Sequence, residues 1–233
     1  MNGVALLFSD FISLLFPRLC NACGDHLVHN ESILCSACYV AIPKTGFHLQ
    51  RENYVEKLFW GRCVIEKAAA WAYYTREGRM TKLIYRFKYN GITEIGSKLG
   101  RIYAITLTES GFMSDIDLIV PVPLHPKKER KRGFNQSMVL AEAIAEVSGK
   151  PVSSDALVRV ARTETQTVRS RVERWKNVEG MFAAGDCSSL ENKHILLVDD
   201  VITTGSTIDA CATVLTAIPG VKVSAVAMAV AVL

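Results

Sequence analysis

Apolar positions along this chain alternate between two rhythms. Val64 to Tyr74 is an apolar, aromatic-containing run that predicts a strand. Directly after it, Met80, Leu83, Ile84 and Phe87 recur at i, i+3, i+4 and i+7, one face of a helix that Asn90-Gly91 would end. A second helix is predicted over Glu94 to Leu107, with Ile95, Leu99 and Ile102 inward. Leu118 to Val122 predicts a short parallel strand, and Phe134, Met138, Ala141 and Ala145 mark the next helix, which stops near Gly149-Lys150-Pro151. Ile195 to Val198 is apolar without alternation, as in a strand buried on both faces. Ile208, Cys211, Ala212 and Leu215 line the helix that follows it; Pro219-Gly220 ends that helix, and Val221 to Val232 reads as a last strand. Strand–helix alternation of this kind predicts an α/β protein built on a doubly wound parallel sheet.

The pattern ahead of the first strand is different. Leu7, Phe11, Leu14 and Leu15 fall at helical spacing in an apolar stretch too short to span a bilayer. No basic leader precedes it, Asp10 interrupts it, and Pro17-Arg18 stands where a cleavage site needs small residues. We read it as an amphipathic helix packing on the rest of a cytoplasmic protein; peripheral contact with the inner face of the membrane is the alternative. Next come Cys20-Asn21-Ala22-Cys23 and Cys35-Ser36-Ala37-Cys38, two C-x-x-C pairs eleven residues apart that use four of the seven cysteines. Two such turns offer four thiolates to one tetrahedral Zn²⁺, and we expect the metal to be structural. Two disulfides are the alternative, and they require an oxidising compartment. His26 and His29 lie inside the loop but are redundant once four cysteines fill the site. Cys63, Cys187 and Cys211 are read as core or surface thiols without a role. These features divide the 233 residues into a zinc module with its leading helix, 1–62, and an α/β domain, 63–233.

Net charge is a mild +4, so its distribution says more than its size. Lys127-Lys128-Glu129-Arg130-Lys131-Arg132 is one dense basic run, and Arg159, Arg162, Arg169, Arg171, Arg174 and Lys176 form a more dilute one. Between and beyond them lies the most informative stretch, Leu196 to Thr207. A buried strand ends there in adjacent carboxylates, Asp199 and Asp200, at the sheet edge where open α/β folds take their ligands. Two carboxylates accept hydrogen bonds from the vicinal hydroxyls of a ribose, directly or through Mg²⁺-bound water. Val201-Ile202-Thr203-Thr204-Gly205-Ser206-Thr207 then leads into a helix whose backbone N–H groups, with the Thr and Ser hydroxyls, make an anion cradle. Acids for a ribose beside a cradle for a phosphate describe a ribose 5-phosphate receptor.

Asp199 to Thr207 resembles the phosphoribosyl pyrophosphate (PRPP) signature of type I phosphoribosyltransferases. The resemblance widens to nearly the whole chain. The cysteine pairs, Tyr85-Arg86-Phe87-Lys88-Tyr89-Asn90-Gly91, Val120-Pro121-Val122-Pro123-Leu124 and Lys131-Arg132-Gly133-Phe134-Asn135-Gln136 are similar to the ComF (ComFC) family, which is associated with natural competence and uptake of single-stranded DNA. The likeness implies a type I phosphoribosyltransferase-like fold and a ligand site of Asp199, Asp200, Val201, Thr203, Thr204, Gly205, Ser206 and Thr207. It implies a pyrophosphate loop over Pro123 to Arg132, with Lys127, Arg130, Lys131 and Arg132 as candidates, and a hood over about Arg162 to Asn177, with Arg162, Arg169, Arg171, Thr163, Thr165, Gln166 and Thr167. In a transferase, Asp199 and Asp200 would be the catalytic carboxylates, with Mg²⁺ and the basic loop stabilising the departing diphosphate. Enzymes of this type that act on 6-oxopurines carry an aspartate four positions after the first acid; Thr203 stands there, which argues against hypoxanthine or guanine salvage.

Three functional readings follow. The first is a competence protein that handles single-stranded DNA, with a competence helicase as a candidate partner. The second is a Mg²⁺-dependent phosphoribosyltransferase of nucleotide metabolism with an unassigned acceptor, and the third a non-catalytic PRPP or nucleotide sensor. Tyr85, Phe87, Tyr89 and Trp175 lie among basic residues where aromatic rings stack on bases, but the first three are expected in the core because Phe87 completes an apolar stripe.

Overall fold

The computed structural model describes residues 17–160, 181–185, 187 and 189–232. The expected N-terminal helix and the hood, with Arg162, Arg169, Arg171 and Trp175, lie outside the described residues. Its elements are α1 (Ser36–Val40), a 3-10 turn (Phe47–Leu49), α2 (Tyr54–Lys57), β1 (Ala68–Tyr73), α3 (Arg79–Tyr89) and α4 (Thr93–Glu109). They continue with β2 (Leu118–Pro121), α5 (Pro126–Arg132), α6 (Gln136–Ser148), β3 (Leu157–Arg159), β4 (Phe182–Ala184), β5 (His194–Ile202), α7 (Ser206–Thr216) and β6 (Lys222–Val230).

The main sheet has the order β1-β6-β5-β2 with every pairing parallel. The chain lays β1 at one edge, crosses to β2 at the other, and fills the middle with β5 and then β6. A parallel sheet is buried on both faces, which is why β5 and β6 read as unbroken apolar runs. Ile195 to Val198 and Val223 to Val230 are nearly free of solvent contact. Helix α6 packs on β2 and β5 and against α4, while α7 packs on β5 and β6. The helices α4 and α6 approach closely at Gly100, where a Cβ would stand 2.8 Å from that of Ala143. This is the expected α/β architecture, a parallel sheet wound with helices and preceded by a four-cysteine cluster.

Most helical stripes match the sequence reading: Met80, Leu83, Ile84 and Phe87 are buried on α3, and Ile208, Cys211, Ala212 and Leu215 on α7. Three expectations are corrected. The inward face of α6 is Ser137, Leu140, Ala141 and Ile144, with Met138 and Ala145 only half-buried and Phe134 ahead of the helix. Counting bulky residues missed the small ones that allow α4 to approach. Pro126 to Arg132, expected as a loop, is the short helix α5: His125 caps it through Nδ1, Pro126 suits its first turn, and Gly133 ends it. Finally, β5 does not end at the acids but pairs with β6 as far as Ile202↔Val230. The two-stranded antiparallel pair β3–β4 was not anticipated, because its strands are three residues long and too short to show a period.

The segment after the cysteines runs along the outer edge of β1, where Lys44 bridges Ala72 and Asn53 forms a polar knot. Only 5% exposed, Asn53 donates through Nδ2 to the carbonyls of Gln50 and Ala68 at 2.9 and 2.8 Å and caps α2 through Oδ1. The edge strand is thereby covered. Cys20, Ala22, Ile33, Cys38, Phe47, Val55 and Phe59 share one continuous core with the sheet. At the opposite, N-terminal edge, His194 links Ser224 Oγ, 2.8 Å from Nε2, to Asp115 Oδ2, 3.3 Å from Nδ1. Ser224 is 0% and His194 6% exposed, so this buried pair with its exposed Asp115 partner is a structural contact rather than a nucleophile. Among the described residues no helix is long and apolar enough to cross a membrane.

Candidate functional site

The pairing of β5 with β2 stops at Pro121↔Val198, one residue before Asp199. The last bond of this ladder is Val122 N–H to the Val198 carbonyl at 3.0 Å; beyond it β2 leaves the sheet and uncovers one side of β5 where its carboxylates begin. The connections leaving β1, β2 and β5 all emerge at this C-terminal edge, as ligand sites of open α/β sheets require. From the first comes Lys88 on α3, whose Nζ lies 2.7 Å from Asp200 Oδ1 with both side chains mostly buried. From the second comes Ser137 on α6, held at the helix start by the Asn135 cap and donating to Asp199 Oδ1 at 3.2 Å. The Asp200 N–H donates to the same oxygen at 2.8 Å.

Burial, and then the neighbouring charge of Asp200, push the Asp199 carboxyl up to about 7; the Asp200 N–H, Lys88 and Ser137 oppose that rise. Asp200 has an ammonium partner in Lys88, while Asp199 holds a proton until near neutral pH. Its folded value lies above the ordinary carboxylate value of 3.8, so between about pH 4 and 7 the folded chain keeps a proton that the unfolded chain releases. Stability therefore falls as pH rises through that window. Asp199→Asn, which removes the titration and keeps the acceptor, should raise the melting temperature by at least about 5 °C at pH 8 and leave it nearly unchanged at pH 4. Thermal melts of both proteins across this range check it; a variant that melts lower at pH 8 would contradict the assignment.

Beyond the acids the chain turns through Thr203 and Thr204, both exposed, to Gly205 at the N-terminus of α7. Gly205 has φ 75°, and a Cβ there would sit 2.9 Å from Phe59 Cε1. Thr204 and Ser206 share a hydroxyl–hydroxyl hydrogen bond of 2.8 Å. No side chain caps the first turn of α7, so its N–H groups face the loop, the arrangement that suits a phosphate. Arg62 braces the loop from behind: Nη1 donates to the Thr204 carbonyl at 2.7 Å, and Nη2 and Nε reach Asp209 Oδ2 at 2.8 and 3.1 Å. Gly205→Ala combines left-handed backbone with the Phe59 contact. It should cost about 1–2 kcal/mol, seen as a melting temperature lower by roughly 3–6 °C, together with a larger loss of phosphate-ligand affinity. A variant as stable as the parent would show that the loop relaxes without strain.

The basic helix α5 stands beside this edge. Lys127 and Arg130 are exposed on it, whereas Arg132 is half-buried, with Nη1 donating to Gln136 Oε1 at 2.6 Å and its guanidinium 5.3 Å from the centre of the Tyr89 ring. Tyr85 and Tyr89 are a further correction: expected in the core, they are 58% and 60% exposed, and only Phe87 is buried. The helical period places 85 and 89 on the flank away from Met80, Leu83, Ile84 and Phe87.

The Sγ atoms of Cys20, Cys23, Cys35 and Cys38 all lie within 4.8 Å of one another, Cys23 and Cys35 at 3.7 Å. Four sulfurs about 2.3 Å from a central tetrahedral ion stand roughly 3.8 Å apart, so the cluster fits a metal that takes soft ligands. Donors already point at the sulfurs. The N–H groups of Ala22 and Cys35 approach Cys20 Sγ at 3.4 Å, that of Cys38 approaches Cys35 Sγ at 3.4 Å, and Arg79 Nε donates to Cys38 Sγ at 3.3 Å. Burial acts against ionisation of Cys20, but its backbone donors outweigh it and bring the thiol down to about 6.

No protein-family model matches the chain. It is similar to the DNA utilization protein YhgH of Escherichia coli K12, 28% identical over 197 residues that cover 82% of this chain and 80% of the relative. Competence protein F of Haemophilus influenzae is 28% identical over 204 residues, 83% of this chain and 89% of its own. Competence protein ComFC of Bacillus subtilis is 32% identical over 135 residues, 58% and 52% of the two chains. The chain resembles the ComF (ComFC) family over most of its length. Among solved structures, the chain is similar to adenine phosphoribosyltransferase from Leishmania tarentolae, at 12% identity and a TM-score of 0.39 over 81% of this chain and 94% of that one.

Three residues of the site carry little or no functional signal in the sequence. Lys88 stands in the sequence only within the family-like segment Tyr85 to Gly91. It carries a faint signal, one of two cations between Tyr85 and Tyr89 on a helix whose other flank is apolar. Arg62 and Ser137 have none, since their partners are 142 and 62 positions away.

Proposed function

We propose that this ComF-type protein binds PRPP, or a close ribose 5-phosphate analogue, with Mg²⁺ between Asp199-Asp200 and the loop Thr203–Thr207, and that it serves the handling of single-stranded DNA during natural transformation in the cytoplasm. The observation that carries this reading is the convergence of Asp200 paired with Lys88, a proton-holding Asp199 and the uncapped first turn of α7 at one open sheet edge. Asp199 and Asp200 would receive the ribose hydroxyls or Mg²⁺, and the loop N–H groups and hydroxyls the 5-phosphate. Lys127, Arg130 and Arg132 would face the diphosphate, and Lys88 would exchange its hold on Asp200 for part of that charge. Mg²⁺, when bound, neutralises diphosphate charge; the chain's own residues orient the sugar. Cys20, Cys23, Cys35 and Cys38 would hold a structural Zn²⁺, in keeping with four donors and no open position. Residues 1–62 would form the zinc module and 63–233 the ligand-binding domain, with Phe59 and Arg62 of the first bracing the phosphate loop of the second.

The test is calorimetric titration of the zinc-replete protein with PRPP and Mg²⁺, beside the variant Asp199→Asn with Asp200→Asn. Binding by the parent that the variant loses supports a working pocket. A parent that does not bind PRPP would sink the reading. A second reading, transfer of the phosphoribosyl group to an acceptor, is favoured by Asp199, a carboxyl that titrates near neutral pH as acid–base catalysts do. It requires pyrophosphate release from PRPP in the presence of an acceptor.

A further inference from the structure

Helix α3 carries two functions on two flanks. One flank gives Lys88 to Asp200; the adjoining one turns Tyr85 and Tyr89 to solvent, with ring centres 5.0 Å apart. Two large aromatic side chains 58% and 60% exposed, four residues apart on a helix, leave apolar ring faces in water that a core would have covered. They are also ordered. Arg132 lies 5.3 Å from the Tyr89 ring centre and is itself fixed by Gln136. On the other side of Tyr85 opens a cleft of about 630 Å³ between α3 and the cysteine turn Cys23-Gly24, lined by Arg76, Lys82 and Arg86. Arg86 is anchored to the same turn, with Nη1 donating to Asn21 Oδ1 at 3.1 Å. The result is a continuous path of cysteine turn, three cations, two tyrosine rings, Arg132 and the basic helix α5.

We propose that Tyr85 and Tyr89 form a stacking platform for the bases of a single-stranded nucleic acid, whose phosphates lie along Arg76, Lys82 and Arg86. This rests on the single-strand-handling reading above and specifies where the strand lies. Charge selects the partner: three cations line the cleft with Glu77 as the acid among them, which suits a polyanion. The rings select its form. Bases stacked inside a duplex present no free faces, whereas a single strand does, and neighbours on one helix face stand about 5–6 Å apart, within reach of successive bases. Because Lys88 immediately precedes Tyr89, a strand on this path passes the mouth of the ribose-phosphate site.

The experiment is fluorescence anisotropy of a labelled oligothymidylate with the full-length, zinc-replete protein, with PRPP titrations on the same samples. Tyr85→Ala with Tyr89→Ala should weaken oligothymidylate binding at least about tenfold, with PRPP binding and melting temperature unchanged. Tyr85→Phe with Tyr89→Phe should bind as the parent does, because the ring face is what acts. Tyr85→Trp should keep the affinity and show indole fluorescence quenched by the oligonucleotide. Equal binding by the alanine pair and the parent overturns the platform, as does a phenylalanine pair as weak as the alanine pair. A parent that binds PRPP but no oligothymidylate overturns the platform and the single-strand role together while leaving the pocket standing.

Discussion

Cys38→Ser is expected to lower the melting temperature by more than about 10 °C and to release the metal. Cys38 is 2% exposed and Cys20 0%, and both belong to the core shared with the sheet, so the cluster is not an appendage that unfolds alone. A structural zinc contributes on the order of 10 kcal/mol to the folding of the segment that holds it. Even a third of that, spread over a protein of this size, moves the transition by roughly 6–14 °C. The consequence should reach the ligand site, because the segment between the cysteines and β1 carries Phe59, packed under Gly205, and Arg62, bonded to the Thr204 carbonyl. A strong chelator should therefore reproduce both the lower melting temperature and a weaker PRPP titration. Cys63→Ser is the control: Cys63 lies outside the cluster, burial pushes its thiol up to about 12, and its loss should cost only about 1 kcal/mol. Metal content by mass spectrometry and thermal melts decide the matter. A purified parent without zinc, or a Cys38→Ser protein that melts with the parent, would refute the expectation.

The second large effect is at Asp200. Asp200→Asn alone should reduce Mg²⁺-dependent PRPP affinity between about tenfold and a hundredfold, the value of one or two charged hydrogen bonds in a partly closed site. Asp200 is the carboxylate paired with Lys88, so the substitution breaks that ion pair and leaves a mostly buried ammonium facing a neutral amide. Asp199→Asn should behave differently. At pH 6 the native Asp199 still holds its proton, and the variant should cost little; at pH 8 native Asp199 is ionised and the loss should widen. Calorimetry at both pH values, with and without Mg²⁺, separates the two carboxylates. Equal affinities for Asp200→Asn and parent would remove Asp200 from the binding role.

The alternation of strands and helices was legible in the chain because burial imposes a period: the α3 and α7 stripes and the apolar β5 run follow from which side chains must leave water. The cysteine cluster was legible because its ligands arrive as two short turns whose spacing is local, and the acid–loop sequence because strand, glycine and helix start are contiguous. What needed the tertiary structure is of another kind. The salt bridge of Lys88 to Asp200, the Ser137 bond to Asp199 and the Arg62 brace join residues 112, 62 and 142 positions apart. They exist because the strand order β1-β6-β5-β2 brings three connections to one edge and because β2 leaves the sheet beyond Pro121. Exposure of Tyr85 and Tyr89 belongs here too, since a period says which flank of a helix is inward but not whether another element covers the opposite flank. Local sequence determines what each segment can become; strand order and the packing of distant elements decide which side chains meet, and the ligand chemistry of this protein depends on those meetings.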